Sequence, residues 1–304
     1  MKNYGIIISK KDPAGINIFN NLISNFNFKK ITMDLKIKNI NKIKKYENID
    51  INYNDLLIDE IYVYNNLTLI LTNKESIFCD YLDYFFGFDV FIFATKHKAI
   101  KNNSCFCVHT PGNFNKADYG GIDYFIGYSA IDEIAFAFKY LEKINNLPKF
   151  NQTLECTHHG PIIYKSSMFI EVGSTELEWE NKKAGLIIAK TIIKMTSITY
   201  NNFEKQILFG IGGPHYCNNF NKLLDFDKYL IGHVCPKYNL EFLNEELILQ
   251  GIQKSNYFEN NQKNKQILVA VDFKGLGKFK EKIINMLEKL NLNYEKIAKL
   301  KKKY

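Results

Sequence analysis

Gly5-Ile6-Ile7-Ile8-Ser9, followed closely by Asp12-Pro13, is the stretch that sets the fold class. A short apolar run of this kind reads as a strand buried on both faces, as in a parallel sheet. Asp12 then caps a helix with proline at its first position. Further strands are expected at 61–64, 67–71, 89–94, 105–109, 153–157, 168–172, 206–211, 228–232 and 267–271. A helix is expected at 130–145, ending before Pro148. Thr175 and Glu178 form a capping box that opens a helix expected to run to about Lys194. Lys274-Gly275-Leu276-Gly277 leads the last strand into a C-terminal helix. Strands alternating with helices predict an α/β fold with a mixed, mostly parallel sheet flanked by helices. Residues 29–60 carry charge and little periodicity and read as an irregular insertion; no repeat or linker divides the chain, so 1–304 reads as one domain.

The 40 basic residues are all lysine. Lysine is a point charge that suits phosphates without gripping them in a fork. Seven lysines lie between Lys29 and Lys45, and Lys296, Lys299, Lys301, Lys302 and Lys303 close the chain, a footprint compatible with a nucleic-acid backbone or with plain solvated faces. No apolar run approaches the roughly 20 residues of a membrane span, and the N-terminus lacks the apolar core of a signal peptide. The expectation is a cytoplasmic protein whose six cysteines are buried thiols.

Five of the six histidines stand beside glycine or proline at the ends of apolar runs: Val108-His109-Thr110-Pro111-Gly112, Thr157-His158-His159-Gly160-Pro161, Pro214-His215 and Gly232-His233. Four of only six prolines fall in or next to these segments. Glycine and proline break strands and turn them into loops, so the imidazoles are delivered to one rim of a sheet, where ligands of α/β folds bind. Glu171 interrupts the apolar Phe169-Ile170-Glu171-Val172 and needs a cationic or metal partner if buried. Glu176 opens the following helix, where the helix dipole explains it as well as a site would. His97, between Lys96 and Lys98, reads as a structural residue or a phosphate contact. Trp179 reads as core.

Histidine and carboxylate donors without a CxxC pair favour a catalytic Zn²⁺, with His109, His158, His159, His233 and Glu176 as candidate ligands. The metal-free alternative uses one histidine as general base and another, with glycine-loop amides, to hold an oxyanion. Gly160, Gly212 and Gly213 are the candidate amides, the last two from Gly210-Ile211-Gly212-Gly213-Pro214. No HExxH, GxGxxG, P-loop or GxSxG pattern is present.

Taken together, Thr95-Lys96-His97, His109-Thr110-Pro111-Gly112-Asn113, Thr157-His158-His159-Gly160-Pro161, Glu171-Val172-Gly173-Ser174-Thr175-Glu176 with Trp179, Gly212-Gly213 with His215-Tyr216, and Gly232-His233 with Lys237-Tyr238 resemble the archaeal and plant type of D-aminoacyl-tRNA deacylase. The chain departs from that pattern at Thr95-Lys96, where Ser-Arg is expected, and at Pro214, where glycine is expected. The resemblance implies a zinc-associated, monomeric hydrolase of the ester joining a D-amino acid to tRNA, with a fold similar to phosphorylases and peptidyl-tRNA hydrolases. On that reading His158, His159, Glu171 and His215 are catalytic, and Lys96, Lys98 and Lys237 hold aminoacyl-tRNA. Gly160-Pro161 or Gly212-Gly213 would wall off L-substrates. A peptidyl-tRNA hydrolase, a nucleoside phosphorylase and a non-catalytic tRNA-binding protein are the competing readings.

Overall fold

The computed structural model describes residues 1–32, 52–99, 103–200, 204–224, 228–255 and 267–302. A large sheet holds β1 (Tyr4–Ser9), β2 (Lys29–Ile31), β3 (Ile58–Tyr64), β4 (Leu67–Thr72), β5 (Val90–Lys98), β6 (Cys105–His109), β7 (Tyr128–Ser129), β8 (Asn151–Leu154) and β9 (Ser166–Ser174). A smaller sheet holds β10 (Gln206–Ile211), β11 (Tyr229–Cys235), β12 (Leu268–Val271) and β13 (Tyr294–Lys296). The helices are α1 (Pro13–Asn25), α2 (Leu82–Phe85), α3 (Ile131–Ile144), α4 (Glu176–Trp179), α5 (Lys182–Thr196), α6 (Asn218–Asn221), α7 (Glu245–Ser255), α8 (Lys280–Lys289) and α9 (Ile297–Lys301).

The large sheet runs β2-β3-β4-β1-β5-β9-β6-β8, with β7 beside β9. Its antiparallel pairs are β2 with β3, β3 with β4 and β6 with β9; the others are parallel. The small sheet, β11-β10-β12-β13, is parallel throughout. The α/β class with a mixed, mostly parallel sheet therefore holds, divided between two sheets where the sequence suggested one.

Period-two alternation sorts the large sheet's side chains. Ile6, Ile8, Ile92, Ala94, Phe106, Val108, Met168 and Ile170 join the main apolar cluster with residues of α1, α3 and α5. Ile7, Phe91, Phe93 and Phe169 point to the other face, into a second cluster with Leu56, Cys79 and Leu82. The main cluster extends without a break into Leu208, Phe209, Ile231 and Val269 of the small sheet.

Asp12 caps α1 by accepting from the Gly15 amide at 2.8 Å, as its sequence position predicts. The capping box forms, but the expected long helix does not. It stops after Trp179, and Asn181 starts α5 afresh by accepting from the amides of Lys183 and Ala184. A side chain that satisfies amides of a new first turn ends the previous helix as effectively as proline does. The break serves a contact with α1, because Asn17 donates to the carbonyls of Trp179 and Asn181 at 2.8 and 2.9 Å. In the lysine-rich stretch, β2, a single helical turn at Tyr53–Leu56 and the start of β3 are regular; 33–51 lie outside the described residues. All six cysteines are buried free thiols. Among the described residues no helix is long and apolar enough to cross a membrane.

A Cβ placed on Gly185 of α5 would stand 2.5 Å from Asn17 Oδ1. Gly185→Ala should displace Asn17 from its two carbonyls and lower stability by about 1–3 kcal/mol, read from the denaturant midpoint.

Candidate active site

Three strands of the large sheet bring chemistry to the face opposite the long helices. Thr95 and His97 on β5, Phe169 and Glu171 on β9, and Cys105, Cys107 and His109 on β6 are register neighbours there. Thr95 and Cys107 flank Glu171, and His109 pairs with Phe169. The ring of His109 stacks on Phe169 at 4.9 Å.

Above this face runs a segment, Glu155–Gly160, that belongs to no strand. It adds Glu155, His158 and His159, while the loop after β10 brings His215. Ring centroids are 4.2 Å apart for His109 and His158, 4.3 Å for His158 and His159, and 4.6 Å for His158 and His215. His97 stands 6.4 Å from His215. These five rings lie within the breadth of one substrate. Four of them, His97, His158, His159 and His215, line a cleft of about 630 Å³ together with Glu171, with Lys96 and Lys98 at its side, and His109 is fully buried.

The imidazoles fall into two electrostatic groups. His97 Nδ1 lies 3.2 Å from Glu155 Oε1 and 3.5 Å from Glu171 Oε2, and its Nε2 meets the Tyr216 hydroxyl at 3.0 Å. Burial would lower its pKa, but the Glu171 contact and the charges of Glu155 and Glu171 raise it from 6.5 to about 9. His215 Nε2 lies 3.2 Å from the same Glu155 oxygen, and its Nδ1 meets Tyr238 Oη at 3.0 Å and Cys156 Sγ at 3.4 Å. Its pKa rises to about 10, against burial, through Cys156 and Glu155. Both rings are cations at neutral pH. Glu155 makes these contacts at ion-pair distance without hydrogen-bond angles, so charge and not directional bonding holds it.

The second group is neutral. Burial and the neighbouring imidazoles push His158 well below its ordinary value and His159 down to about 4. The Nδ1 of His158, His159 and His109 face the carbonyls of Cys156, Gly160 and Thr110 at 2.8, 2.7 and 3.3 Å. A carbonyl only accepts, so each Nδ1 carries a proton, and in His158 and His159, which burial keeps neutral, Nε2 keeps a free lone pair. Glu171, which accepts from Thr95 Oγ1 at 2.7 Å, remains ionised. Burial alone would raise its carboxyl, but His109 and His97 hold it well below the ordinary range. His109 Nε2 lies 3.8 Å from Glu171 Oε1, beyond hydrogen-bond reach.

Several residues that the sequence singled out lie elsewhere. His233 is buried on β11 behind the segment, with Nδ1 against Thr157 Oγ1 at 3.0 Å, and burial pushes its pKa down to about 3. Glu176 opens α4 and is exposed. Gly212 and Gly213 turn the chain at φ +97° and +88° beyond β10, outside the cleft lining, and the Gly212 amide already donates to the Cys235 carbonyl. The Gly160 amide is likewise taken, by the Tyr119 carbonyl at 3.0 Å. Lys237 is exposed next to Tyr238. Trp179 is core, its indole N–H donating to the His97 carbonyl. His97 is central, not peripheral: its side chain is only 6% exposed, between two carboxylates. Sequence reasoning passed over Glu155 entirely. Its one signal was its place just after a strand and three residues before His158-His159.

The cationic state of His97 ties stability to pH. A folded-state pKa raised from 6.5 to about 9 makes its contribution complete below pH 6.5 and removes it as pH rises through 9. In chelator-treated protein, the gap in denaturant midpoint between wild type and His97→Gln should be widest below pH 6.5 and narrow towards pH 9.

Comparison with known proteins agrees with this chemistry. The sequence profile of the D-aminoacyl-tRNA deacylase family matches residues 84–295. The D-aminoacyl-tRNA deacylase of Pyrococcus abyssi is 29% identical over 96% of this chain and 98% of its own length. That of Methanocaldococcus jannaschii is 30% identical over 87% and 96%. A crystal structure described as a conserved protein of unknown function superposes with a TM-score of 0.81 at 24% identity. It covers 99% of this chain and 97% of that one, and this likeness concerns the fold alone. The chain belongs to the D-aminoacyl-tRNA deacylase family.

Proposed function

We propose that the cleft hydrolyses the ester joining a D-amino acid to the 3′ end of tRNA, with water as the nucleophile, releasing the free amino acid and tRNA. The convergence of four imidazoles and Glu171 in one cleft, with His109 and Glu155 buried against them, in a deacylase-family chain carries this reading. Ester hydrolysis needs an activated water, a positive group where the carbonyl oxygen gains charge, and a proton for the departing ribose oxygen. His215 is cationic, and its side chain is 32% exposed at the cleft. It fits the last two needs, with Glu155 holding its charge and Tyr238 its orientation. Glu171 and Glu155 keep His97 protonated beside the reacting carbonyl. The lysines at the cleft's side suit tRNA phosphates, and the competing readings have no comparable use for this set.

The residues also fit a zinc ion at His109, His158 and His159. One ring nitrogen from each lies within 4.8 Å of the others, and His109 Nε2 is buried without a hydrogen-bond partner. All three rings have Nδ1 against a backbone carbonyl, which leaves Nε2 to face a metal, and His158 and His159 are held neutral, as ligation requires. Zinc bound there would lower the pKa of its water to about 7 and polarise the ester.

Initial rates on D-Tyr-tRNA and L-Tyr-tRNA, with metal content measured in parallel, test both parts. Wild type should cleave the D-ester selectively and stop after chelation. His109→Ala should lose its zinc and at least ~100-fold in kcat/KM, since even second-shell partners cost 10–100-fold. Full activity in zinc-free protein would remove the metal, and equal rates on both esters would remove the stereochemistry. His215→Ala should lower kcat by on the order of 10²–10³ with little change in KM, as loss of an oxyanion donor does.

A further inference from the structure

Unlike side chains line the cleft. Lys11, Lys96 and Lys98 stand there with Asp12 and Glu75, none of the three in ion-pair contact with a carboxylate among the described residues. Lys96 Nζ sits 5.6 Å over the Trp179 ring. The same lining includes Ile77 and the aromatic Tyr119, which is 70% exposed. Phe78, 40% exposed, lies next to it: its Cδ1 is 3.2 Å from where a Cβ on Gly120 would stand.

Tyr119 is exposed, yet its backbone is held from several directions. Its carbonyl accepts from Gly160, the residue after His159, at 3.0 Å. Asn113 Nδ2 donates to the next carbonyl, Gly120, at 2.9 Å. Asp123 accepts from the Ala117 amide, and Tyr124 donates to the Asn115 carbonyl, closing the loop. Gly120, at φ +81°, packs so closely on the Ile77 carbonyl that a Cβ would stand 2.0 Å from it. The loop therefore anchors the backbone that carries a water-facing ring lining the same cleft as the imidazoles. An aromatic face in one cleft with unpaired cations suits a group that is flat and apolar on one side and anionic on the other. A nucleotide is such a group, and the cleft's volume of about 630 Å³ matches a ligand of that size.

We propose that Tyr119 is the stacking platform for the terminal adenine of the tRNA, with Lys11, Lys96 and Lys98 holding the phosphate on that nucleotide. The ester-bearing ribose is thereby suspended over His158, His159 and His215. This rests on the deacylase reading. Tyr119 acts as a binding and positioning residue: it holds the base, and the histidines do the chemistry. Stacking is sequence-tolerant, so the hydroxyl is dispensable and any aromatic ring should serve.

The test has two arms. In the kinetic arm, Tyr119→Ala should raise KM for D-Tyr-tRNA by ~5–150-fold, the range expected of one lost base–aromatic stack, with kcat within about threefold of wild type. Tyr119→Phe and Tyr119→Trp should restore KM. In the binding arm, adenosine monophosphate and ribose 5-phosphate are titrated into each protein. Tyr119→Ala should weaken the nucleotide by a similar factor and leave the sugar phosphate unchanged. Unchanged KM and nucleotide affinity in Tyr119→Ala overturn the proposal, as does a fall in kcat at constant KM. The binding arm needs no turnover. If wild type fails to hydrolyse the ester yet its nucleotide binding depends on Tyr119, the deacylase reading falls and the subsite stands.

Discussion

Residues 155–160 have no sheet of their own, and the site depends on how their backbone finds partners. Buried peptide groups must be hydrogen-bonded, and here each bond goes to a different part of the molecule. The Glu155 amide donates to Val108 of β6, Cys156 to His215 beyond β10, Thr157 to Val234 of β11, and Gly160 to Tyr119. The Gly112 amide returns a bond to the His159 carbonyl at 2.7 Å. The segment is thus a seam between the two sheets. It carries Glu155 between Glu171's neighbour His97 on the large sheet and the imidazole of His215 beyond the small one. His159 adopts φ +48°, a left-handed conformation that a residue with a side chain takes only when its surroundings over-determine it. The seam supplies that over-determination.

The same seam explains the division of charge. A carboxylate can be buried only if something positive is held against it, and a cluster of imidazoles cannot all be positive at such short range. Glu155 and Glu171 settle which ones are. His97 and His215, at ion-pair distance from them, are driven up; His158 and His159, lowered by burial and by neighbouring imidazoles, are driven down. Groups of one chemical type with pKa values pushed apart by their surroundings are the usual basis for dividing acid, base and ligand roles within a site. Here one side chain type furnishes permanent donors and permanent lone pairs within one substrate's breadth.

Local signals in the sequence carried most of the fold. The Gly5–Ser9 run, the Asp12-Pro13 helix start and the Thr175–Glu178 capping box all appear where their residue chemistry puts them. The glycine and proline near His109 and His215 did mark strand ends, whereas Gly232-His233 lie inside β11. Signals that need a partner were silent. Nothing local distinguishes Asn181 as a new helix start until Asn17 is seen to use the carbonyls that the break exposes. The division into two sheets depends on which apolar strands pair, information that strand patterns do not contain. For the site, glycine-flanked histidine was a productive pattern but not a selective one. It gathered His109, His158, His159 and His215, and it also gathered His233, whose strand ends on the far side of Thr157. His97 was undervalued because its lysine neighbours alternate to the other face of a period-two strand, at the cleft's rim, while its own ring points in among the carboxylates. Alternation at 95, 97, then 105, 107, 109, then 169, 171 would have put all of them on one face.

The absence of arginine gives this arrangement a further logic. Arginine orients a phosphate or carboxylate through two parallel bonds, whereas lysine attracts without fixing an angle. A chain whose 40 cations are all lysine can draw tRNA to the cleft but cannot aim it with them. Aim must come from groups with direction. The imidazoles of His97 and His215 have it, each pinned at both nitrogens, and so has any flat surface against which a base can lie. The position before His97 that holds Lys96 therefore shifts part of the orienting work from a charged fork to the shape of the cleft. Rigidity in the loop that ends at Tyr119 compensates for freedom in the lysines of the same cleft.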